Sequence, residues 1–555
     1  MEAIETIIKR PPQYKSLFTF KFHTIITMKN TFILLFLCVS VSFAKAQRNI
    51  ILIIADDLGS DWCGFQENRL DTVNMPNVRK LLGRGVRFSN AWANPFCSPT
   101  RAGLLTGRYS FRHGVGTVIG GAGDAVLDTS EITIPRLLKN NAAPIKYNTA
   151  NIGKWHLQNL SAQTINFPNK MGYDHFAGFF PGKVASYTNW TKTTNGVSAN
   201  STNYTTTEFT NDAITWLGQQ NATKPFFLWM AYNAPHDPYH LPPDSLHSYR
   251  NLSGTPADIA ANPKPYFKAM TEAMDNQIGK LYNWLQVNNK LDSTDIIFIG
   301  DNGDAPQSAQ IPRAKGSIYQ AGMRVPFIIS GPSVKNQGRV STALVNTQDL
   351  FATIVELAGF TNWRAQIPAN KPVDSKSLVL ILQNTATVAR PWAFNEVFSV
   401  IPQPKEGKTM RNTDFKLMNF DDGTQEFYNL TNDPNEATNL LLRTLNATER
   451  TNYNYLCTEM GLLLGKTICN PSVDTKDISA FDKPIIAPNP AKNVVSITFN
   501  DASNFSYKIN AIDGKLMQQG VATKDINVSE LQNGLYLLTI KKDGIVLTEK
   551  IVIQK

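Results

Sequence analysis

The sequence has little of what marks a membrane protein, a nucleic-acid-binding protein or a disulfide-rich domain. The apolar run at residues 31–43 is too short to span a bilayer. The net charge is +10, but residues 1–46 contribute +4 of it and the remainder has no concentrated basic run. We therefore expect no transmembrane segment and no nucleic-acid partner. Only 5 of the 555 residues are cysteine, few enough to consider each one.

The first 46 residues are typical of a cleaved secretory signal behind an extension. Met28 opens a short basic start, the apolar run follows, and Ala44-Lys45-Ala46 matches an A-x-A cleavage site. We expect Met28 to be the true initiator and residues 1–27 to be an upstream extension. Cleavage before Gln47 predicts a protein that is secreted or displayed on the cell surface.

Four cysteines remain after such a cleavage, because Cys38 is lost with the signal. Cys457 and Cys469 are close enough in sequence to pair in an oxidising compartment. Cys63 is expected to be a small buried residue. Cys97 is the one whose neighbours suggest a chemical role.

Cys97 lies where the sequence predicts the start of a helix. Pro99 favours a first helical turn, because its missing N–H is not needed there and its φ is already helical. The free N–H groups and the dipole of a helix N-terminus favour an anion beside Cys97. Arg101, four residues on, falls on the same face. The alternative is a buried or disulfide-bonded Cys97 at the start of an ordinary helix.

Two predicted strands end in oxygen-bearing side chains. Residues 49–55 form a continuous apolar run that predicts a buried parallel strand, and residues 295–300 predict another strand. Ligands bind beyond the carboxyl ends of such strands, and adjacent carboxylates repel each other unless a cation neutralises them. These oxygen ligands suit Ca²⁺ or Mg²⁺ and argue against Zn²⁺. For the first pair the alternative is two surface turn aspartates. The residues concerned are Asp56, Asp57, Asp301 and Asn302.

Basic side chains follow two further predicted strands. The strand at residues 147–153 is followed by Lys154-Trp-His156, and a Lys-x-His pair there places both side chains on one side. The strand at residues 225–231 leads to His236, which prolines hold in an extended loop. A lone lysine or histidine is more often an exposed cation or a satisfied core residue.

Strands that alternate with helices predict an α/β fold with a doubly wound, mostly parallel sheet. Residues 178–210 are expected to be an irregular polar insertion. Hairpin signals at Asp513-Gly514 and Asn533-Gly534 predict a small β-sandwich at the C-terminus. The predicted organisation is a catalytic domain at 47–385, a subdomain with a small antiparallel sheet at 386–470, a linker at 471–484 and the β-sandwich at 485–555. Helices are predicted at 75–82, 131–139, 266–285 and 347–359.

On its motifs the chain resembles the formylglycine-dependent sulfatases of the arylsulfatase type, which belong to the alkaline phosphatase-like superfamily. The resemblance covers roughly residues 48–445. It rests on Cys97-x-Pro-x-Arg101 followed by Leu-Leu-Thr-Gly-Arg, on Asp56-Asp57, on Gly-Lys154-Trp-His156-Leu, on Ala-Pro-His236, on Asp301-Asn302-Gly and on Lys315. It implies that a formylglycine-generating enzyme oxidises Cys97 to Cα-formylglycine (3-oxoalanine). It also implies a metal site, Ca²⁺ rather than Mg²⁺, built from position 97 and the residues Asp56, Asp57, Asp301 and Asn302.

The resemblance implies a sulfuric ester hydrolase with a formylglycine gem-diol as nucleophile. Arg101 would hold the gem-diol, and Lys154 and Lys315 would stabilise charge on the sulfate. His236, with Lys315, would assist the leaving alcohol, and His156 would deprotonate the second hydroxyl. A secreted chain with a polar insertion favours a sulfated polysaccharide or oligosaccharide as substrate. The alternatives are a phosphodiesterase or phosphonate hydrolase of the same superfamily, and a non-catalytic binder of sulfated glycans.

The C-terminal region resembles the sorting domain of type IX secretion. The resemblance rests on Pro-Asn489-Pro at its start and on the segment from Leu531 to Tyr536 near its end. It implies the type IX secretion machinery as a partner. The alternative is a carbohydrate-binding β-sandwich, which the absence of an evident aromatic platform in the sequence disfavours.

Overall fold

The structure, a computed structural model, describes most of the chain from residue 48 onward. The expected signal, Met28 and Cys38 lie outside the described residues, as does nearly all of the expected linker. Among the described residues no helix is long and apolar enough to cross a membrane. The chain divides into two compact units, one that ends at Ile468 and one that begins at Cys469. The described ranges are 48–66, 71–121, 123–159, 165–221, 223–401, 405–469, 484–499, 504–512, 514–542 and 545–555.

Within the described residues, a ten-stranded sheet forms the centre of the first unit, in the order β10-β2-β9-β8-β1-β7-β3-β4-β5-β6. The neighbours of β1 are parallel to it, whereas β9 is antiparallel to both of its neighbours. This is the predicted alkaline phosphatase-like arrangement. The strands are β1 (Asn49–Ala55), β2 (Gly85–Trp92), β3 (Asn148–Lys154), β4 (His175–Phe179), β5 (Trp190–Thr194), β6 (Val197–Ser201), β7 (Phe226–Ala231), β8 (Thr294–Gly300), β9 (Phe327–Ser330) and β10 (Arg339–Asn346).

Helices cover both faces of this sheet. The predicted helix at 131–139 is the least accurate, since only residues 134–138 are helical. Pro135 has no N–H and so belongs to a first turn. The helices of the described residues are α1 (Pro76–Gly83), α2 (Cys97–Thr106), α3 (Ser110–His113), α4 (Ile134–Leu138), α5 (Phe167–Lys170), α6 (Thr205–Gly218), α7 (Pro256–Ala261), α8 (Pro263–Val287), α9 (Gln320–Met323), α10 (Asp349–Leu357), α11 (Val379–Leu382) and α12 (Ala447–Leu464), with 3-10 turns at Ser60–Trp62, Asp244–Leu246, Leu291–Ser293, Trp363–Gln366 and Leu440–Leu442.

The continuous apolar run of strand β1 is explained by its burial on both faces of the sheet. Its side chains alternate between two hydrophobic cores: Ile50, Leu52 and Ile54 enter one, and Ile51 and Ile53 enter the other. Helices α2 and α10 contribute to the first core, and α1, α6 and α8 to the second. A strand buried on both faces has no solvent-facing side that would call for polar residues.

The expectation of an irregular insertion at residues 178–210 is wrong. Strands β5 and β6 form an antiparallel hairpin that extends the sheet, and α6 begins at Thr205. Asn195 and Gly196 make the turn with φ of 45° and 83°. Positive φ at both central residues is what a two-residue hairpin turn needs, so the Asn-Gly pair was the missed signal.

The expected small antiparallel sheet of the first unit has a strand that the sequence did not predict. Its order is β11-β12-β13-β14, and β12 carries the polar residues Thr409 and Arg411 into buried positions. Thr409 Oγ1 donates to the carbonyl of Leu417 at 3.0 Å, so its polarity is satisfied there. The strands are β11 (Ala393–Val397), β12 (Gly407–Arg411), β13 (Phe415–Phe420) and β14 (Gln425–Asn429).

The second unit is a β-sandwich of two antiparallel sheets, β15-β16-β19 and β18-β17-β20-β21. Strands β17 and β18 pair as the first hairpin signal predicted, although Asp513 itself is not described. The hairpin predicted at Asn533-Gly534 is wrong, because β19 pairs with β16 and β20 pairs with β17. The strands are β15 (Ile485–Ala487), β16 (Val494–Thr498), β17 (Phe505–Ala511), β18 (Leu516–Ala522), β19 (Asp525–Asn527), β20 (Gly534–Lys542) and β21 (Ile545–Ile553).

Candidate active site

Four neighbouring strands deliver the predicted site residues to one edge of the main sheet. Strands β8, β1, β7 and β3 stand side by side in that order, and each adjacent pair is parallel. Their carboxyl ends therefore meet at the same edge. Helix α2 adds its first turn, and a loop after β8 adds a lysine. The residues brought together are Asp56, Asp57, Cys97, Arg101, Lys154, His156, His236, Asp301, Asn302 and Lys315.

Two of the site carboxylates are buried against cations. Nζ of Lys154 donates to Oδ2 of Asp56 at 2.6 Å. Nη2 and Nε of Arg101 donate to Oδ2 of Asp301 at 2.7 and 3.1 Å. Arg101 and Lys154 have no exposed surface. The family resemblance assigns both cations to the reacting groups, whereas in this structure each faces a carboxylate.

The third carboxylate, Asp57, adopts a positive φ of 63° and is contacted from several sides. Its Oδ1 accepts hydrogen bonds from Nζ of Lys315 at 2.5 Å and from Nδ2 of Asn302 at 2.7 Å. Its Oδ2 lies 3.6 Å from Nε2 of His236. Asp56 and Asp57 are both buried, so the alternative of two surface turn aspartates is wrong.

Three oxygen atoms of this cluster have room for a further partner. Among the described residues, no hydrogen-bond donor reaches the buried atoms Oδ1 of Asp56, Oδ2 of Asp57 and Oδ1 of Asn302. Ligand atoms of Asp56, Cys97 and Asp301 also lie within 4.8 Å of one another. Buried oxygens without donors are costly unless a cation satisfies them. The donor set therefore fits a hard metal ion.

Burial and charge act on these groups in opposite directions. Burial raises the pKa of Asp56 to about 7, against the effect of Lys154. Burial also opposes ionisation of Asp57, but His236 and Lys315 outweigh it and lower the pKa of Asp57 to about 2. Burial disfavours the charged form of His236, yet Asp57 and Asp56 raise its pKa to about 9. A bound cation would favour the ionised form of Asp56.

His156 presents an unprotonated nitrogen to Cys97. Burial, and next to it the charge of Lys154, lowers the pKa of His156 well below its usual value, so the ring is neutral. Its Nε2 lies 2.9 Å from the carbonyl oxygen of Ile119, which can only accept. Nε2 is therefore assigned the proton, and the lone pair of Nδ1 accepts a hydrogen bond from Sγ of Cys97 at 3.2 Å.

Cys97 is the first residue of α2, as predicted. The preceding residue, Phe96, makes no side-chain capping hydrogen bond, so the first-turn N–H groups keep their capacity to bind an anion. Cys97 and Cys63 are both buried and neither is part of a disulfide, so the alternative of a disulfide-bonded Cys97 is wrong. Cys457 and Cys469 are each disulfide-bonded.

The loop that carries His236 depends on a residue that the sequence reasoning missed. The hydroxyl of Tyr187 donates to the carbonyl oxygens of Asn233 and His236, at 2.6 and 2.7 Å. Nδ1 of His236 lies 2.8 Å from the carbonyl oxygen and 3.0 Å from Oδ1 of Asp237. Tyr187 stands in the segment that was expected to be irregular, and nothing in its local pattern indicated this contact.

Comparison with known families identifies the family to which each part of the chain belongs. The family profile described as "Sulfatase" matches residues 48–360, more than half of the chain. The chain belongs to the sulfatase family. The profile "N-sulphoglucosamine sulphohydrolase, C-terminal" matches residues 314–453. The profile "Secretion system C-terminal sorting domain" matches residues 485–554, which confirms the sorting domain over a carbohydrate-binding sandwich.

Individual relatives of the sulfatase are similar over part of the chain. Arylsulfatase J of Mus musculus is 28% identical over 331 residues, 56% of this chain and 53% of the relative. N-acetylgalactosamine-6-sulfatase of Homo sapiens is 30% identical over 387 residues, 63% of this chain and 68% of the relative. The chain thus spans about half the length of the first. The crystal structure of Ps i-CgsB has a TM-score of 0.63 and 26% identity, and the match covers 77% of this chain and 94% of that one.

Proposed function

We propose that this sulfatase removes sulfate from a sulfated polysaccharide or oligosaccharide, with Cys97 converted to Cα-formylglycine as its nucleophilic residue. The observation that carries the proposal is the 3.2 Å contact between Sγ of Cys97 and Nδ1 of His156. The contact places a neutral base, Nδ1 of His156, beside Sγ of Cys97, the atom that the modification replaces. The uncapped start of α2 and the cation-paired carboxylates surround that contact.

Conversion of Cys97 replaces its sulfur by an aldehyde oxygen. Cβ loses two electrons, the C–S bond breaks and the sulfur departs as hydrogen sulfide. We therefore propose that a formylglycine-generating enzyme carries out this step during maturation, with dioxygen as the electron acceptor. Once hydrated, the aldehyde provides two hydroxyls on one carbon, one to attack the sulfate ester and one whose deprotonation releases sulfate. A thiol offers no second hydroxyl, so an unmodified Cys97 would not complete the cycle.

The metal that we propose for this site is Ca²⁺. Asp56, Asp57, Asp301 and Asn302, together with position 97, would hold it. A set of oxygen ligands with three carboxylates suits Ca²⁺, whereas Mg²⁺ is usually held by one or two carboxylates and several waters. When bound, the ion supplies a Lewis acid that polarises the nucleophilic hydroxyl and the sulfate oxygens.

The side chains around position 97 position the reacting groups, stabilise charge and transfer protons. Arg101 holds the nucleophilic residue, and the fixed charges of Lys154 and Lys315 stabilise the negative charge that grows on the sulfate oxygens. The bond between sulfur and the alcohol oxygen breaks, and that oxygen takes a proton from His236, assisted by Lys315. Nδ1 of His156 then accepts the proton of the second hydroxyl, which allows sulfate to leave.

Two relatives support a carbohydrate as the alcohol. One is named for a sulfated sugar, N-acetylgalactosamine-6-sulfatase. Ps i-CgsB has been solved in complex with k-i-k-neocarrahexaose, a structure with 25% identity and a TM-score of 0.61 that covers 78% of this chain and 96% of its own. A sulfated carbohydrate is therefore the substrate class that we propose, with the individual sugar left to the assay.

We further propose that the protein acts outside the cytoplasm. A signal within residues 1–46 would direct export, and the sorting domain would engage the type IX secretion machinery, leaving the enzyme secreted or at the cell surface. The match at residues 485–554 supports this route. The proposed boundaries are a catalytic domain at 47–385, its subdomain at 386–470, a linker at 471–484 and the sorting domain at 485–555.

The test is sulfate release by the wild type and by Cys97→Ala, on 4-nitrophenyl sulfate and on a panel of sulfated oligosaccharides. We expect Cys97→Ala to abolish turnover, whereas Cys63→Ala, which alters a buried cysteine away from the proposed site, keeps it. Near-normal sulfate release from Cys97→Ala would contradict the mechanism. Faster hydrolysis of bis(4-nitrophenyl) phosphate than of every sulfate ester would favour the phosphodiesterase alternative.

A further inference from the structure

Lys183 differs from the cations of the site because it is exposed. Its side chain is 60% exposed, and its Nζ pairs with Oδ2 of Asp237 at 2.6 Å. The other oxygen of the same carboxylate, Oδ1, lies 3.0 Å from Nδ1 of His236. A single carboxylate therefore separates the ammonium group of Lys183 from the residue that we propose protonates the leaving alcohol.

The segment that carries Lys183 also borders the other site histidine. The backbone N–H of His156 donates to the carbonyl oxygen of Phe180 at 3.2 Å. A Cβ atom on Gly182 would lie only 2.7 Å from Cε1 of His156, so the chain passes directly against that ring. Further along, Tyr187 fixes the loop of His236. Lys183 thus lies on a segment that touches both histidines.

The ion pair of Lys183 is also easier to exchange than those inside the site. Lys154 and Arg101 are buried against carboxylates, and removing either partner would leave an unpaired buried charge. Asp237 is 38% exposed, and ion pairs between exposed groups contribute little to stability. Lys183 can therefore exchange Asp237 for an anion on a ligand, and water can solvate the carboxylate that it leaves.

We propose that Lys183 binds a second anionic group of the substrate, a sulfate or carboxylate close to the scissile ester, and so makes the enzyme select polyanionic carbohydrates. This inference rests on the proposed sulfate-ester hydrolysis and names the substrate class of the same site. A competing role would be purely positional, in which Lys183 acts through Asp237 on His236. That role would change turnover for every sulfate ester, whether or not it carries a second charge.

The test uses two aryl sulfates that differ by one anion, 4-nitrophenyl sulfate and 2-carboxy-4-nitrophenyl sulfate. The wild type should have the lower KM for the carboxylated substrate. Lys183→Gln should raise that KM about tenfold, the scale of one charge-assisted hydrogen bond, and leave KM and kcat for 4-nitrophenyl sulfate unchanged. Lys183→Arg should recover most of the loss.

The matched control is Lys139→Gln, which removes an exposed lysine paired with Asp174 at 2.5 Å. Asp174 binds the N–H of Thr149 near the amino end of β3, the strand end away from the site. If Lys183→Gln changed KM equally for both substrates, or changed it for neither, the proposed role of Lys183 would be overturned. If the wild type hydrolyses neither aryl sulfate but releases sulfate from oligosaccharides, the same comparison is made between a monosulfated and a disulfated oligosaccharide. A wild type that releases sulfate from none of these esters would instead overturn the proposed function, and the inference that rests on it would fall with it.

Discussion

The carbonyl oxygen of Ile119 decides which nitrogen of His156 faces Cys97. Because that carbonyl can only accept, Nε2 carries the proton and Nδ1 is left as the base. The sequence motifs predicted His156, since a histidine after a buried strand in that motif is recognisable. They could not predict Ile119, because a backbone contact between residues 37 positions apart leaves no local pattern.

A prediction about a single residue concerns His156. We expect His156→Asn to block the release of sulfate, the step in which the second hydroxyl loses its proton. The variant keeps a polar side chain but has no basic ring nitrogen beside position 97. Turnover should fall by about 10²- to 10⁴-fold, the usual contribution of a general base. Rapid-quench kinetics should show up to one equivalent of alcohol released per enzyme while free sulfate stays near zero. Release of alcohol and sulfate at equal, undiminished rates would contradict this role.

Tyr187 offers a second test at the residue scale. Tyr187→Phe removes the donor to the carbonyls of Asn233 and His236 and should cost about 1–3 kcal/mol of stability. It should also lower kcat, because the loop of His236 loses its anchor. The control is Tyr232→Phe, whose buried hydroxyl contacts Thr210 at 2.7 Å. The control should lower the melting temperature without lowering kcat, and equal kcat in both variants would refute the anchoring role.

At the scale of elements, the buried strands and the long amphipathic helix were predictable and the polar elements were not. The apolar runs of β1, β7 and β8 predict strands that are buried on both faces. In α8 the apolar residues recur at the spacing of a helix. The hairpin of β5 and β6 and the strand β12 are polar in sequence. Their polar groups are satisfied by pairing and by side-chain hydrogen bonds that form only in the folded chain.

Helix α12 is another polar element whose stability depends on side-chain hydrogen bonds, and it provides a test. It was not predicted, yet Asn446 and Glu449 form a reciprocal capping box at its start. Asn446→Ala should therefore destabilise the first unit by about 1 kcal/mol, the usual value of an N-cap side chain. Thermal melting should show the loss, whereas the exposed neighbour Thr448→Ala should show little. Identical melting curves for the two variants would show that the cap contributes nothing.

At the scale of the whole molecule, the parallel sheet is what assembles the site. Residues as far apart as Asp57 and Lys315 meet because β8, β1, β7 and β3 end at one edge. The family motifs picked out, from the sequence, residues that the sheet brings together. They did not show that Lys154 and Arg101 would face carboxylates, since that arrangement depends on which charges occupy the cluster together.

Metal removal tests the cluster as a unit. A ligand that binds only the folded state stabilises it by about 2.7 kcal/mol at one hundred times its Kd. We therefore expect EGTA to lower the melting temperature and abolish sulfate release, and Ca²⁺ to restore both more fully than Mg²⁺. Asn302→Ala should lose most of the calcium-dependent shift. A melting temperature that is the same with EGTA and with Ca²⁺ would contradict a calcium site.

The most direct test of the account is mass spectrometry of the tryptic peptide Phe88–Arg101, from protein made in its native host. The peptide contains position 97, and trypsin releases it by cleaving after Arg87 and after Arg101. The account predicts that the thiol of Cys97 has been replaced by an aldehyde, seen as the mass of formylglycine or its hydrate. A wholly unmodified thiol, in a host that makes formylglycine in other sulfatases, would contradict the mechanism and leave a binder of sulfated glycans as the better explanation.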